Sequence, residues 1–93
     1  MALKWTKIAL ANMANIVEYI GQDDPDVASA FAREIVSKAN TLAKFPGIGR
    51  AGRVAGTREL VIHRHYVIVY RTRGGNIDIL RVKHTARRWP KRL

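Results

Sequence analysis

Apolar side chains in the first half of the chain recur at the spacing of a helix. Between Thr6 and Gly21 they form a single stripe, which consists of Ala9, Met13, Ile16, Val17 and Ile20. A stripe with this period is typical of a helix that buries one face. Thr6 can cap the first turn of such a helix, and Gly21 suits its end. The pattern predicts a first helix between these two residues.

A second helix is predicted after the polar turn "QDDPD". Asp24 is a suitable N-cap, Pro25 fits the first helical position, and Asp26 favours the positive end of the helix dipole. The buried side of this helix is expected to comprise Ala28, Phe31, Ile35, Leu42 and Phe45. The helix should then end at Pro46-Gly47, so that the two helices form a hairpin.

The second half of the chain changes to the period of strands. The segments "TRELVIH" (57–63), "YVIVYRTR" (66–73) and "NIDILRVKH" (76–84) are rich in β-branched and aromatic residues, and "LKWT" (3–6) is a shorter candidate. Gly74-Gly75 supplies the positive φ angles of a two-residue hairpin turn. We expect an α+β fold, with the helical hairpin packed on one face of a mainly antiparallel sheet of three to four strands. Residues 1–93 should form one domain.

Strict alternation along the strands predicts which side chains share a face. In the last strand it groups Arg81 and Lys83 with Ile77 and Ile79, and it places Leu80, Val82 and His84 on the other side. In the first of the three long strands it aligns Arg58, Leu60, Ile62 and Arg64. One sheet face should therefore be partly apolar and studded with cations, which suits an amphipathic peptide or a nucleic acid. Long arginine stems that merely cover apolar surface would give the same pattern.

The net charge of +10 is confined to the second half of the chain. Residues 1–45 carry five basic and five acidic groups, whereas residues 46–93 carry twelve basic and two acidic groups. Such asymmetry indicates an anionic partner, either a nucleic acid or an acidic protein. The residues expected to contact it are Arg50, Arg53, Arg58, Arg64, Arg81, Lys83, His84, Arg87, Arg88 and Trp89.

Several other classes of protein are disfavoured. The chain has no cysteine, its N-terminus lacks a signal pattern, and its longest uncharged stretch (8–17) is too short to span a bilayer. We therefore expect a soluble cytoplasmic protein without a membrane partner. The segment "GIGRAG" (47–52) has the spacing of a dinucleotide site but follows a helix and opens onto a strand, so no cofactor is expected. We interpret it as a loop that needs positive φ angles, from which Arg50 and Arg53 can touch a phosphate or a carboxylate.

The histidines indicate neither a metal site nor a hydrolase triad. No carboxylate or thiolate stands near His63, His65 and His84, and their basic surroundings repel a cation. His84 is flanked by Lys83 and Arg87, which disfavour its protonated form and suit it to act as a general base. The enzymatic route left open is cleavage of RNA, in which the 2′-hydroxyl is the nucleophile and the protein holds the phosphate and moves protons.

Four segments together resemble the RelE/ParE superfamily of bacterial type II toxins. They are "WTKIALANMANIVEYI", "FPGIGRAGRVAGTRELVI", "YVIVYR" and "ILRVKHTARRWP", and in this order they cover nearly the whole chain. The resemblance implies a toxin that arrests growth. It also implies a cognate antitoxin with an acidic, amphipathic segment, which would match the basic half of this chain.

Two mechanisms compete within the superfamily. RelE-like members enter the ribosome and cut mRNA, whereas ParE-like members bind and poison DNA gyrase with no chemistry of their own. The RelE and YoeB type usually has an arginine for the scissile phosphate where this chain has Val67, and ParE-like members tend to be apolar there. The resemblance therefore favours gyrase, with Arg58, Arg81, Lys83 and His84 as the edge that meets antitoxin or target.

The alternative is a ribosome-dependent mRNA endonuclease that needs no metal. In that case Arg58 and Arg81 would hold the phosphate, His84 would move the proton, and Arg87 would stabilise the pentavalent state. A simple RNA-binding module is a more distant option, since the solvent-facing aromatic pairs of RRM domains are missing from the sequence.

Overall fold

The computed structural model describes residues 2–63 and 65–85, and it has two helices and five strands. In chain order these are β1 (Ala2–Trp5), α1 (Lys7–Gly21), α2 (Pro25–Thr41), β2 (Arg50–Ala51), β3 (Arg58–His63), β4 (Tyr66–Arg73) and β5 (Asn76–His84). The sheet order is β1-β5-β4-β3-β2. Only the β1–β5 pair is parallel.

The predicted α+β fold is confirmed, but the strand count was too low. α1 packs on β5 and α2 contacts β3, so the hairpin covers one face of the sheet. The strand that sequence analysis missed is β2, which has two residues and pairs with the start of β3. Neither helix in the described part of the chain is long and apolar enough to cross a membrane.

Both predicted helix starts are confirmed by their capping bonds. Thr6 Oγ1 accepts a hydrogen bond from the Ala9 amide at 3.2 Å and donates one to the Ile79 carbonyl at 2.8 Å. Asp24 Oδ1 accepts from the amides of Asp26 and Val27, both at 3.1 Å. The two caps therefore satisfy amides that no helical carbonyl can reach, and Thr6 also ties α1 to β5.

The second helix ends at Thr41, four residues before the expected Phe45. The Thr41 hydroxyl donates to the Lys38 carbonyl at 2.6 Å, and the Leu42 amide bonds the Ala39 carbonyl three residues back. These local bonds tighten the chain into turns and stop the helix. The prediction that Phe45 lies on the buried side was therefore wrong, since this side chain is 59% exposed.

The core lies between the helical hairpin and one face of the sheet. Its buried members are Ala9, Ile16, Ile35, Ala39, Leu42, Ile62, Ile68, Tyr70, Ile77, Ile79 and Val82. Each large aliphatic side chain buried here contributes about 1.5–3 kcal/mol relative to exposure in water. The β4–β5 turn has Gly74 and Gly75 at φ 57° and 79°, which confirms the predicted hairpin turn.

A β-bulge in β5 changes the predicted division of faces. Tyr70 of β4 pairs with Ile79, but the preceding Val69 pairs with Arg81, so Leu80 is an extra residue. A bulge resets the alternation of side chains. As a result Ile79 and Val82 both face the helices, while Arg81 points to the opposite side.

The expected grouping of Arg81 and Lys83 with Ile77 and Ile79 was therefore wrong. Lys83 pairs with Val67 on the face away from the helices, as Arg81 does with Val69. His84 and Val82 were correctly predicted to share a face of the sheet. That face is the one that the helices cover.

Candidate binding site on the open face of the sheet

The sheet face turned away from the helices, here called the open face, contains a groove of about 580 Å³. Val69 and Leu80 give it an apolar floor, and residues 53–57 form one wall. Five basic side chains line it, namely Arg53, Arg71, Arg73, Arg81 and Lys83. The groove thus combines an apolar floor with a cationic rim.

Glu59 is a nearly buried carboxylate in this basic groove, with 9% of its surface exposed. Its Oε1 accepts hydrogen bonds from Arg50 Nε at 3.2 Å and Nη2 at 3.1 Å, and its Oε2 lies 3.9 Å from Lys83 Nζ. A buried carboxylate requires such partners. Glu59 therefore holds two cations of the open face in fixed positions.

Glu59 was not among the predicted site residues, although the sequence contains a signal for it. It is one of only two acidic residues in the basic half, and in β3 it alternates with Arg58 and Leu60. The other acid, Asp78, is used in the same way, because its Oδ2 lies 3.3 Å from Arg71 Nε across the β4–β5 pair. Both acids thus neutralise neighbouring cations within the sheet.

The remaining cations of the groove give it a positive charge. Within residues 2–63 and 65–85, Arg53, Arg73 and Arg81 form no ion pair. The groove is therefore electrostatically suited to an anionic ligand, while its floor can receive apolar side chains.

The predicted site residues fall into three groups. Arg50, Arg53, Arg81 and Lys83 come together at the open face. Arg58 and His84 lie on the helix-covered side. Arg64, Arg87, Arg88 and Trp89 lie outside the described residues.

Arg58 and His84 are separated from Arg81 by the sheet. Arg58 pairs in register with the core residue Tyr70, and its Nη1 donates to the Gly49 carbonyl at 2.9 Å. His84 pairs with Tyr66, whose ring lies 4.8 Å from it and packs against the core. The residues proposed to act together on a phosphate thus do not share one face.

His84 belongs to an aromatic cluster at one end of the sheet. Its ring stacks on His65 at 5.3 Å, and Tyr66 bridges to Phe31 of α2 at 4.8 Å. His63 meets the same Phe31 edge-on at 6.2 Å. Among the described residues, no three ligand-type side chains are grouped to hold a metal ion.

The glycine segment is shaped by close packing rather than by left-handed backbone. Positive φ occurs among the described glycines only at Gly56, Gly74 and Gly75, so the expectation for "GIGRAG" was wrong. A Cβ on Gly49 would lie 2.6 Å from Tyr70 Oη and 2.9 Å from the Glu59 carbonyl oxygen. Only glycine allows this approach. Arg50 contacts a carboxylate within its own chain, that of Glu59.

Known proteins share both the sequence and the fold. The model of the family described as "ParE toxin of type II toxin-antitoxin system, parDE" matches residues 3–89. Toxin RelE2 of Caulobacter vibrioides is 41% identical over 83 residues, which are 89% of this chain and 93% of that protein.

Two solved structures extend the likeness to three dimensions. One, from the chromosomal ParDE TA system of P. aeruginosa, superposes with a TM-score of 0.80 at 32% identity and covers 90% of this chain and 95% of its own. A YoeB/ParE toxin from Agrobacterium tumefaciens gives a TM-score of 0.63 at 20% identity, over 90% and 98% of the two chains, and shows the shared fold alone.

The fold and these likenesses define a toxin of the RelE/ParE superfamily, as the sequence segments predicted. Within that superfamily the chain belongs to the ParE toxin family of type II toxin–antitoxin systems.

Proposed function

We propose that this toxin arrests growth by binding DNA gyrase and poisoning it, without chemistry of its own, and that a cognate antitoxin neutralises it. The observation that carries the proposal is the separation of the candidate nuclease residues. Arg81 lies on the open face, whereas Arg58 and His84 lie on the helix-covered side. Phosphodiester cleavage needs a base and phosphate ligands within hydrogen-bond reach of one reacting centre.

Val67 supports the same conclusion. It lies on the open face between Val61 and Lys83, and its side chain is completely buried. The mRNA-cutting members that this sequence resembles usually have an arginine at this position, as a ligand of the scissile phosphate. A buried valine provides no ligand for a phosphate, whereas it is compatible with a protein that acts by binding.

The antitoxin fits the open-face groove. The solved P. aeruginosa relative comes from a ParDE toxin–antitoxin system, which supports a cognate antitoxin here. An acidic amphipathic segment would set apolar side chains on Val69 and Leu80 and its carboxylates near Arg53, Arg73 and Arg81. Complementary potentials of this kind steer association and fix orientation.

Ribosome-dependent mRNA cleavage is the second candidate. Two observations favour it, the 41% identity to a toxin named RelE2 and the five basic side chains of the groove, which are suited to hold phosphates. On this mechanism Arg81 would bind the phosphate and His84 would have to act from the other side of the strand.

Induction of the toxin in bacteria, followed by analysis of both nucleic acids, distinguishes the two. We expect gyrase-linked DNA breaks, an SOS response and intact messages. Cleaved messages confined to translated regions, without DNA breaks, would contradict the gyrase proposal. His84→Ala should leave growth arrest within about threefold of wild type, with His65→Ala as the matched control, because a general base typically contributes about 10²–10⁴-fold to a nuclease.

A further inference from the structure

The backbone of the loop at residues 45–49, between α2 and β2, is held by several hydrogen bonds. The buried Tyr70 hydroxyl donates to the Pro46 carbonyl at 2.7 Å and accepts from the Gly49 amide at 2.9 Å. The Phe45 amide bonds the Thr41 carbonyl at 2.9 Å, and the Phe45 carbonyl accepts from the Ile48 amide at 3.3 Å. These bonds satisfy backbone groups that would otherwise need water as a partner.

Two further contacts hold the end of the same loop. Arg58 Nη1 donates to the Gly49 carbonyl, and the missing Cβ of Gly49 lets the backbone lie directly against the Tyr70 ring. Tyr70 is itself fully buried in the core. The loop is therefore attached to the buried core of the sheet.

This rigid loop presents apolar side chains to solvent. Phe45 is 59% exposed and Ile48 is 51% exposed, three positions apart on the tied backbone. Exposed cations flank them on both sides, since Lys44 precedes the loop and Arg58 follows it, and neither forms an ion pair within the described residues. Large apolar side chains that are both exposed and held in place are typical of binding anchors, because little conformational entropy remains to be lost on association.

We propose that the 45–49 loop is a docking knob that inserts Phe45 and Ile48 into an apolar, acid-rimmed cleft of the folded protein that the toxin attacks. More than half of the surface of Phe45 and of Ile48 is exposed, so a partner that buries both side chains must enclose them. The cleft of a folded protein can do so, whereas a nucleic-acid strand offers no comparable apolar enclosure. The flanking cations favour an acidic rim. This inference rests on the proposed function only in requiring that the target is a protein.

The knob is separate from the groove assigned to the antitoxin. None of residues 45–49 lines that groove, and the loop is bonded to Tyr70 and Arg58, which face the helix-covered side. Substitutions in the knob should therefore affect the target without affecting the antitoxin.

The test uses the full-length double variant Phe45→Ala/Ile48→Ala, with Leu10→Ala as control because Leu10 is an exposed apolar residue of α1. We expect at least tenfold weaker binding to purified gyrase and a matching loss of growth arrest. Affinity for the cognate antitoxin should stay within twofold, and the control should behave as wild type in all three measurements.

Each deviating outcome identifies what has failed. Equal gyrase binding by wild type and double variant would overturn the knob and leave the gyrase proposal intact. Absence of gyrase binding by wild type, together with loss of arrest in the double variant only, would overturn gyrase as target and support the knob. Parallel loss of antitoxin affinity would also overturn the knob, because the loop would then serve the antitoxin or the fold.

Tyr70→Phe tests the positioning role of the hydroxyl. Amide hydrogen exchange at Gly49 should accelerate at least tenfold, and gyrase binding should weaken by about three- to tenfold while antitoxin affinity is kept. Ile68→Val is the matched control, since it disturbs the neighbouring core but leaves the hydroxyl in place. If both variants weakened gyrase binding equally, Tyr70→Phe would act only through the general stability of the fold. The proposed role of the Tyr70 hydroxyl would then be wrong.

Discussion

The two faces of the sheet are built from the same strands but differ in what they contain. The covered face is apolar where the helices pack, with Ile68, Ile77 and Ile79 fully buried. The open face has a carboxylate and several cations around a small apolar floor. The covered face supplies most of the buried apolar surface that stabilises the fold. The side chains of the open face can therefore be suited to an anionic partner. Substitutions on the two faces should therefore affect different properties.

The largest effect is expected from Ile35→Ala on the covered side. Ile35 is fully buried, and the cavity left by the lost atoms should lower the free energy of unfolding by about 2–5 kcal/mol. The adjacent Val36→Ala is the control, because Val36 is 40% exposed and should cost far less. Urea unfolding of both variants measures the difference. Similar losses would mean that the hairpin does not pack as described.

A binding effect of intermediate size is expected from Arg81→Glu on the open face. It reverses a charge that has no ion-pair partner among the described residues, so the dissociation constant for the cognate antitoxin should rise at least tenfold, or about 1.4 kcal/mol. The unfolding midpoint should change little. Arg33→Glu, an exposed cation of α2, is the control. An equal effect of both changes would show that net charge, rather than the groove, attracts the antitoxin.

The smallest effect is expected from Glu59→Gln, which tests whether the open face also supports the fold. Loss of the carboxylate weakens its bonds to Arg50 and Lys83, and should lower the free energy of unfolding by about 1 kcal/mol. The added positive charge should tighten antitoxin binding at low salt. Glu18→Gln, an exposed acid of α1, serves as control. No loss of stability relative to that control would mean that Glu59 is not a structural partner of these cations.

The features that the sequence predicted correctly are set by neighbouring residues. Thr6 and Asp24 cap their helices through bonds within three residues, and Gly74-Gly75 makes its turn from its own φ angles. The antiparallel pairing of β4 with β5 follows from that same turn. Each of these signals is contained in a short window of sequence, which is why periodicity and capping rules suffice.

The features that were missed depend on contacts between distant segments. Nothing local marks Leu80 as the extra residue of a bulge, and one such residue moved Arg81 and Lys83 to the other face. The pairing of β2 likewise depends on where the 45–49 loop is held by Tyr70. For the same reason Glu59 was overlooked, and Arg58 was grouped with Arg81 and Lys83 although the sheet separates them.

The parallel pairing of β1 with β5 has a consequence for the folding of the toxin during its synthesis. Residues 2–5 are synthesised well before their partners, residues 76–79, and the hydroxyl of Thr6 also reaches the Ile79 carbonyl. A nascent chain on the ribosome lacks the strand that joins its beginning to the rest of the sheet. Prematurely terminated products that stop before β5 should therefore be harmless to the cell that makes them, because the sheet cannot close without this strand.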